Sequence, residues 1–226
     1  MQEKSHILSS FDKALEKLND SIRRMAAITQ ESLSDSARSL ARRDEGLCNR
    51  IIADDEMVDA LEMEIDREGV NILTRFQPLA HDFRRVFATI KVATDLERIS
   101  DQAVNIARRS KKLLQSPELP ETRMLEPIHA QAAALLQDSL RAFNEEDIEL
   151  AMSLKPRDRE LDRAHKELIE RLTRRMEEDP SRLQDYLDLV FIARYLERAG
   201  DHAVNIGEDA VYAGAARDIR HERLAD

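Results

Sequence analysis

An eleven-residue segment occurs twice in this chain, and the repetition limits what the chain can fold into. Leu96-Glu97-Arg98-Ile99-Ser100-Asp101-Gln102-Ala103-Val104-Asn105-Ile106 matches Leu196-Glu197-Arg198-Ala199-Gly200-Asp201-His202-Ala203-Val204-Asn205-Ile206 at eight of eleven positions. A second acid-bearing stretch precedes each copy: Asp55-x-x-x-Asp59-x-x-Glu62 before the first, Asp158-x-x-x-Asp162-x-x-His165 before the second. Self-similarity at a fixed spacing is the mark of duplication, so two copies of one structural unit are expected.

Each unit reads as three helices. The first stretch runs from about Ser9 to Arg43, with Phe11, Leu15, Leu18, Ile22, Met25, Ile28 and Leu33 at three- and four-residue spacings. Asp44-Glu45-Gly46 breaks it, a second helix covers about Leu47 to Phe76 until Pro78, and a third spans about Ala80 to Leu114. Gln115-Ser116-Pro117-Glu118-Leu119-Pro120-Glu121 is the linker. The pattern then restarts over about Thr122–Phe143, Ile148–Glu178 (with a kink expected at Pro156) and Arg182–Arg217, with turns at Asn144–Asp147 and Asp179–Ser181. The fold class is therefore all-α: two tandem, pseudo-symmetric antiparallel three-helix bundles, residues 1–116 and 117–226. A charged fraction of 35% and only five glycines agree with long helices rather than sheets.

Composition narrows the function classes. A net charge of −10 disfavours nucleic acid, whose phosphates attract basic proteins. No apolar run approaches the roughly 20 residues of a membrane span, so no direct membrane insertion is expected. The opening Met-Gln-Glu-Lys-Ser-His lacks the basic-then-apolar pattern of a secretory signal, and the single cysteine, Cys48, suits a reducing compartment. A cytoplasmic protein is expected. Cys48 itself, in a turn without histidine or cysteine neighbours, reads as incidental.

The chemistry lies in the paired acids. Glu97 and Asp101 share one helical face, and Asn105 continues the row. At about 100° per residue, Ile90 and Val104 fall within roughly 20° of Glu97, with Val86 and Ala93 close by. Val190, Ala193 and Val204 surround Glu197 in the same way. These acids therefore interrupt an apolar sector, whereas an arbitrary Glu-x-x-x-Asp usually lies on a solvated face. Facing helices would gather Asp55, Asp59, Glu62, Glu97 and Asp101. Such a group can escape mutual repulsion by binding cations, by taking up protons, or by remaining in solvent. Oxygen donors favour magnesium, manganese, calcium or ferric iron; His165 would extend the second group toward ferrous iron, zinc or nickel. Asn105 and Asn205 either support such a site or bond a neighbouring helix. Arg98 and Arg198 either orient the carboxylates or lie exposed, and His202 is expected to be partly exposed and not a ligand.

At these residues the sequence resembles the PhoU family of phosphate-uptake regulators. The resemblance rests on the doubled Leu-Glu-Arg-x-x-Asp-x-Ala-Val-Asn-Ile segment and on Pro78-Leu79-Ala80-His81-Asp82-Phe83-Arg84 before its first copy, and it covers nearly the whole chain. It implies a cytosolic, often dimeric, non-enzymatic protein that binds multinuclear metal clusters. It also implies action with the ATPase subunit of an ABC-type phosphate transporter and with a phosphate-sensing histidine kinase, restraining uptake and the starvation response when phosphate is plentiful. By the same resemblance, the metal ligands would be Asp55, Asp59, Glu62, Glu97 and Asp101 in the first half and Asp158, Asp162, Glu197 and Asp201 in the second. Ser100 and Gln102 depart from the pattern, and His165 stands where the first half has Glu62, so the two sites are expected to differ in metal or nuclearity.

Two other readings compete. A carboxylate-bridged di-iron enzyme or iron store would use Glu-x-x-His pairs on two helices, and only Asp162-x-x-His165 comes near that spacing. A metal-free scaffold with solvated acids is the third. No nucleophile–base pair and no phosphate-cradling glycine loop is evident, which favours a non-enzyme.

Overall fold

In the computed structural model, which describes residues 2–220 and side chains from residue 9, six α-helices follow one another. They are α1 (Gln2–Arg42), α2 (Glu45–Phe76), α3 (Ala80–Leu113), α4 (Glu126–Glu145), α5 (Ile148–Glu178) and α6 (Leu183–Ala215). Residue 1 and residues 221–226, the outer ends of the two expected repeats, lie outside the described residues.

The turns show the duplication as clearly as the motifs do. Arg43 takes a positive φ of 53°, and Asp44 then caps α2, its Oδ1 accepting from Leu47 N at 2.9 Å. In the second half Glu146 takes a φ of 54°, and Asp147 caps α5 by accepting from Leu150 N at 2.9 Å. Each aspartate satisfies one of the orphan amides of a helix start, a contribution of about 1 kcal/mol. Glu45 and Gly46 are thus already helical, so the expected three-residue break shrinks to Arg43 and Asp44.

Two other boundaries differ from expectation. The chain enters α4 through a 3-10 turn, Pro120–Leu125, and the α-helix proper begins at Glu126 with Pro127 in its first turn. Proline lacks the amide hydrogen that an earlier α-helix start would require at that position. A 3-10 turn over Pro180–Arg182 similarly precedes α6. By contrast, α5 runs unbroken across Pro156. Cys48 lies in the first turn of α2, fully buried beside Ile51, Ala103, Val104 and Ala107, and not in a turn as expected.

One core serves both halves. Leu96, Ile99 and Ile106 of α3 join Leu189, Ile192 and Leu196 of α6 in a single apolar cluster that also holds Leu18, Ile65, Phe143 and Leu161. Helices α3 and α6 run antiparallel along a central seam: Lys91 pairs with Asp209 and Arg109 with Asp188. α1 and α2 flank α3, and α4 and α5 flank α6. Close approach at the second α5–α6 contact needs glycine. A Cβ on Gly207 would lie 2.4 Å from Leu154 Cδ1, a fully buried side chain. Gly207→Val is therefore expected to cost about 1–3 kcal/mol by overpacking. Urea denaturation reads this directly, and an unshifted midpoint would contradict the close approach.

Candidate metal centre

Helix α2 presents Asp55, Asp59 and Glu62 along one face, and α3 brings Glu97 and Asp101 against it. Asp59 is exposed, while the other four are half-buried, so the group forms a rim with a partly enclosed floor. Burial raises the Asp55 carboxyl above its ordinary range, the charges of Asp59 and Asp101 raise it further, and a hydrogen bond from Ser100 Oγ at 2.9 Å opposes both. Burial likewise raises Glu97, followed by repulsion from Asp101, Glu62 and Asp59, while Arg98 pulls the other way. Arg98 is itself exposed yet stays close to the acids: its Nε lies 3.3 Å from Glu97 Oε2 and its Nη1 3.8 Å from Asp101 Oδ2. That Nε does not meet hydrogen-bond geometry, and Glu97 Oε2 remains a buried acceptor without a donor. All five acids expected in the first half therefore meet in one electrostatic neighbourhood.

The second half converges more tightly. Asp162 on α5 and Glu197 and Asp201 on α6 each place one carboxylate oxygen within 4.8 Å of the others. Among the described residues, no trio of acid, histidine or cysteine donors in the first half is as close. Asp158, four residues before Asp162 on α5, feels the charges of all three. Its Oδ1 is buried without a partner, and its carboxyl is pushed up to about 7 by burial and then by Asp201, Asp162 and Glu197. Asp201, although it reaches solvent, is raised to about 6 by its partly buried setting and by Glu197 and Asp162. Glu197 is raised by burial and by Asp162. His165, on α5 after Asp162, does not join this trio; its Nε2 is buried and without a partner, and burial holds the imidazole below its ordinary range.

One residue accounts for much of the difference between the halves. Where α3 carries Ser100, α6 carries Gly200, and a Cβ there would fall 2.3 Å from Leu161 Cδ2. A serine there would force Leu161 to shift, and Gly200 brings no hydroxyl like the one that satisfies Asp55. Asp158 lacks that donor.

The donor set suits a cation. Two buried carboxylate oxygens and a buried imidazole nitrogen lack partners, and carboxylates crowd together on both sides of the molecule. Repulsion of this kind persists unless a positive charge enters or protons are retained.

Sequence reasoning missed the polar seam between α3 and α6. Asp95 Oδ1 lies 2.8 Å from His202 Nδ1 and accepts from Asn205 Nδ2 at 3.1 Å. Asn205 thus bonds the neighbouring helix, the plainer of its two expected roles, and His202 is half-buried and turned to Asp95. Arg109 Nη1 donates to Asp188 Oδ1 at 2.7 Å while its guanidinium lies 4.1 Å over the Phe191 ring. The available signal was the pair of acids, Asp188 and Asp209, lying among the buried apolar positions of α6.

The sequence model of the PhoU domain matches residues 22–110 and 125–210, one segment in each half. A Pseudomonas putida protein named as a homolog of the phosphate-specific transport system accessory protein PhoU is 35% identical over 220 residues, covering 97% of this chain and 86% of the relative. A Clostridium acetobutylicum protein of the same name is 30% identical, covering 92% of this chain and 96% of its own. Among solved structures, PhoU from Pseudomonas aeruginosa superposes with a TM-score of 0.89 at 33% identity, covering 92% of this chain and all of the other. The phosphate transport system regulatory protein PhoU from Streptococcus pneumoniae gives 0.84 at 25% identity, covering 92% of this chain and 98% of its own.

Proposed function

The chain belongs to the PhoU family, and on that premise we propose that it is a non-enzymatic accessory protein of phosphate transport, a metal-binding negative regulator of phosphate uptake and of the starvation response. The observation that carries this reading is that the family match spans both halves and each half keeps its converging acid pairs. The partners would be the ATPase subunit of the phosphate ABC transporter and a phosphate-sensing histidine kinase, with the protein acting as a cytoplasmic homodimer. Among the described residues, no helix is long and apolar enough to cross a membrane. Attachment to the transporter would therefore be peripheral.

Asp55, Asp59, Glu62, Glu97 and Asp101 would hold cations in the first half; Asp158, Asp162, Glu197 and Asp201 would hold them in the second. Such cations, in multinuclear clusters of iron, zinc, nickel, manganese, magnesium or calcium, supply positive charge that neutralises the acids. The chain's own contribution is positional: α2 and α3 in one half, and α5 and α6 in the other, present opposed donors. Neutralised donors tie each helix pair together and fix the surface offered to a partner.

Deleting the gene should leave a phosphate-responsive reporter switched on in phosphate-replete medium. The native gene should restore repression, and a Glu197→Ala, Asp201→Ala gene should not, despite equal protein level. Normal repression in the deletion strain removes the regulatory role; full rescue by the double variant removes the second-half site from it.

A further inference from the structure

We propose that a cavity between the two halves binds a small organic amine, with the ammonium group at the mouth and a branched apolar tail of about four to six carbons against the floor.

The cavity measures about 90 Å³ and lies between α1 and the 3-10 turn that leads into α4. Ile106 of α3 and Ile192 and Leu196 of α6, all buried, line its floor, so the space reaches down to the seam between the halves. The wall supplied by α1 carries alanines, Ala37 and Ala41, one turn apart, where larger side chains would close it. Protein interiors are otherwise close-packed, so apolar atoms brought into such a space gain contacts on every side. An apolar cavity of roughly 150 Å³ accommodates benzene, and the smaller one here suits a branched chain of about five carbons. None of the paired acids lines it.

The polar groups select the other end of the ligand. Glu118 and Glu126 are exposed at the rim, and among the described residues neither carboxylate makes an ion pair. Arg123 is the one cation in the lining, so two carboxylates face a single guanidinium and the rim is net negative. His129 adds a neutral acceptor. Its Nε2 lies 2.9 Å from Leu33 O, and a carbonyl only accepts, so that nitrogen carries the proton and Nδ1 is left to accept. Burial lowers the His129 imidazole below its ordinary range and keeps it uncharged at neutral pH. Carboxylates and an acceptor nitrogen suit a donor-rich cation, whereas an oxyanion would meet repulsion.

The two walls come from different halves, and the contact between His129 and Leu33 already joins α4 to α1 there. A ligand touching both walls favours the arrangement in which they close on it.

The test titrates the full chain with isopentylamine and, in parallel, with isopentanol and isocaproate, which carry the same tail on a neutral and an anionic head. The amine should shift the methyl resonances of Ile106, Ile192 and Leu196 and the Nδ1 resonance of His129, all with one saturation curve. Isopentanol should bind about fivefold more weakly, the difference expected of a solvent-exposed ion pair, and isocaproate more weakly still. Glu118→Gln with Glu126→Gln should bring the amine level with the alcohol while the floor methyls still shift. Ala41→Leu, which extends a side chain into the space, should abolish binding of all three. Floor methyls that do not shift in the wild-type protein overturn the site, whether or not the variants fold. Equal binding of the three heads, or tighter binding of isocaproate, overturns the assignment to amines. Undiminished amine binding by folded Ala41→Leu protein also overturns the inference, because it places the amine among the surface acids.

Discussion

Saturating the metal-free protein with a divalent cation is expected to raise its melting temperature by about 8–16 °C at pH 8 and by little at pH 5. A ligand at a thousand times its dissociation constant stabilises the folded state by about 4 kcal/mol, and each kcal/mol moves a domain of this size by about 2–4 °C. The pH dependence follows from the raised carboxyls. Asp158 is pushed up to about 7 and Asp201 to about 6, whereas both ionise near 4 in the unfolded chain. Below pH 4 both states hold the protons and nothing is lost. Between pH 4 and 7 the unfolded chain releases protons that the folded protein retains, so folding is progressively disfavoured, and above pH 7 the whole penalty is present. Metal-free protein should therefore lose stability as pH rises from 5 to 8. Solvent contact at Asp201 reduces its share, leaving Asp158 as the main contributor. A cation reverses the loss only where the carboxylates are ionised, because at pH 5 it must displace protons. Asp158→Asn with Asp201→Asn should stabilise the metal-free protein at pH 8 and remove most of the second site's response. A melting temperature indifferent to both pH and cation would show these acids to be ordinary surface charges.

How much of this could be read in the sequence depends on the kind of interaction. The helices and their duplication were legible because apolar spacing and repeated motifs are local signals, and Glu97 betrayed itself by interrupting an apolar sector. Pairings between helices were legible only by analogy: that Asp55, Asp59 and Glu62 face Glu97 and Asp101 followed from expecting antiparallel neighbours. The contrast between Ser100 and Gly200 could be seen as a substitution but not as a consequence, since its meaning depends on Leu161 and on which carboxylate lies opposite. Boundaries shifted where short-range chemistry outweighed periodicity. Asp44 ended the break early by capping, and Pro127 delayed α4 by withholding an amide hydrogen. The seam was least legible. Asp95 and Asp209 lie on different helices from Asn205 and Lys91, and no spacing within one helix announces contact across a pseudo-twofold axis.

That seam joins the two halves, and among its polar contacts is a buried ion pair whose contribution can be measured. Asp209 is 3% exposed, and its carboxyl is pushed up to about 6 by burial even with Lys91 in contact. Removing the cation leaves a buried carboxylate without its counter-charge, a change that typically costs about 3–5 kcal/mol. Lys91→Met is accordingly expected to lower the melting temperature by about 6–20 °C at pH 8. The loss should shrink at pH 5, where the folded protein protonates Asp209 rather than carrying the charge. Pairing Lys91→Met with Asp209→Leu should recover most of the stability, because apolar side chains of similar size can replace a buried ion pair with little net loss. A double-mutant cycle at both pH values measures the coupling. Additive losses at pH 8 would mean that Lys91 contributes packing alone. Strong coupling at pH 8 that fades at pH 5 would show that the charge of this pair, and not its packing alone, adds to the apolar attachment between α3 and α6.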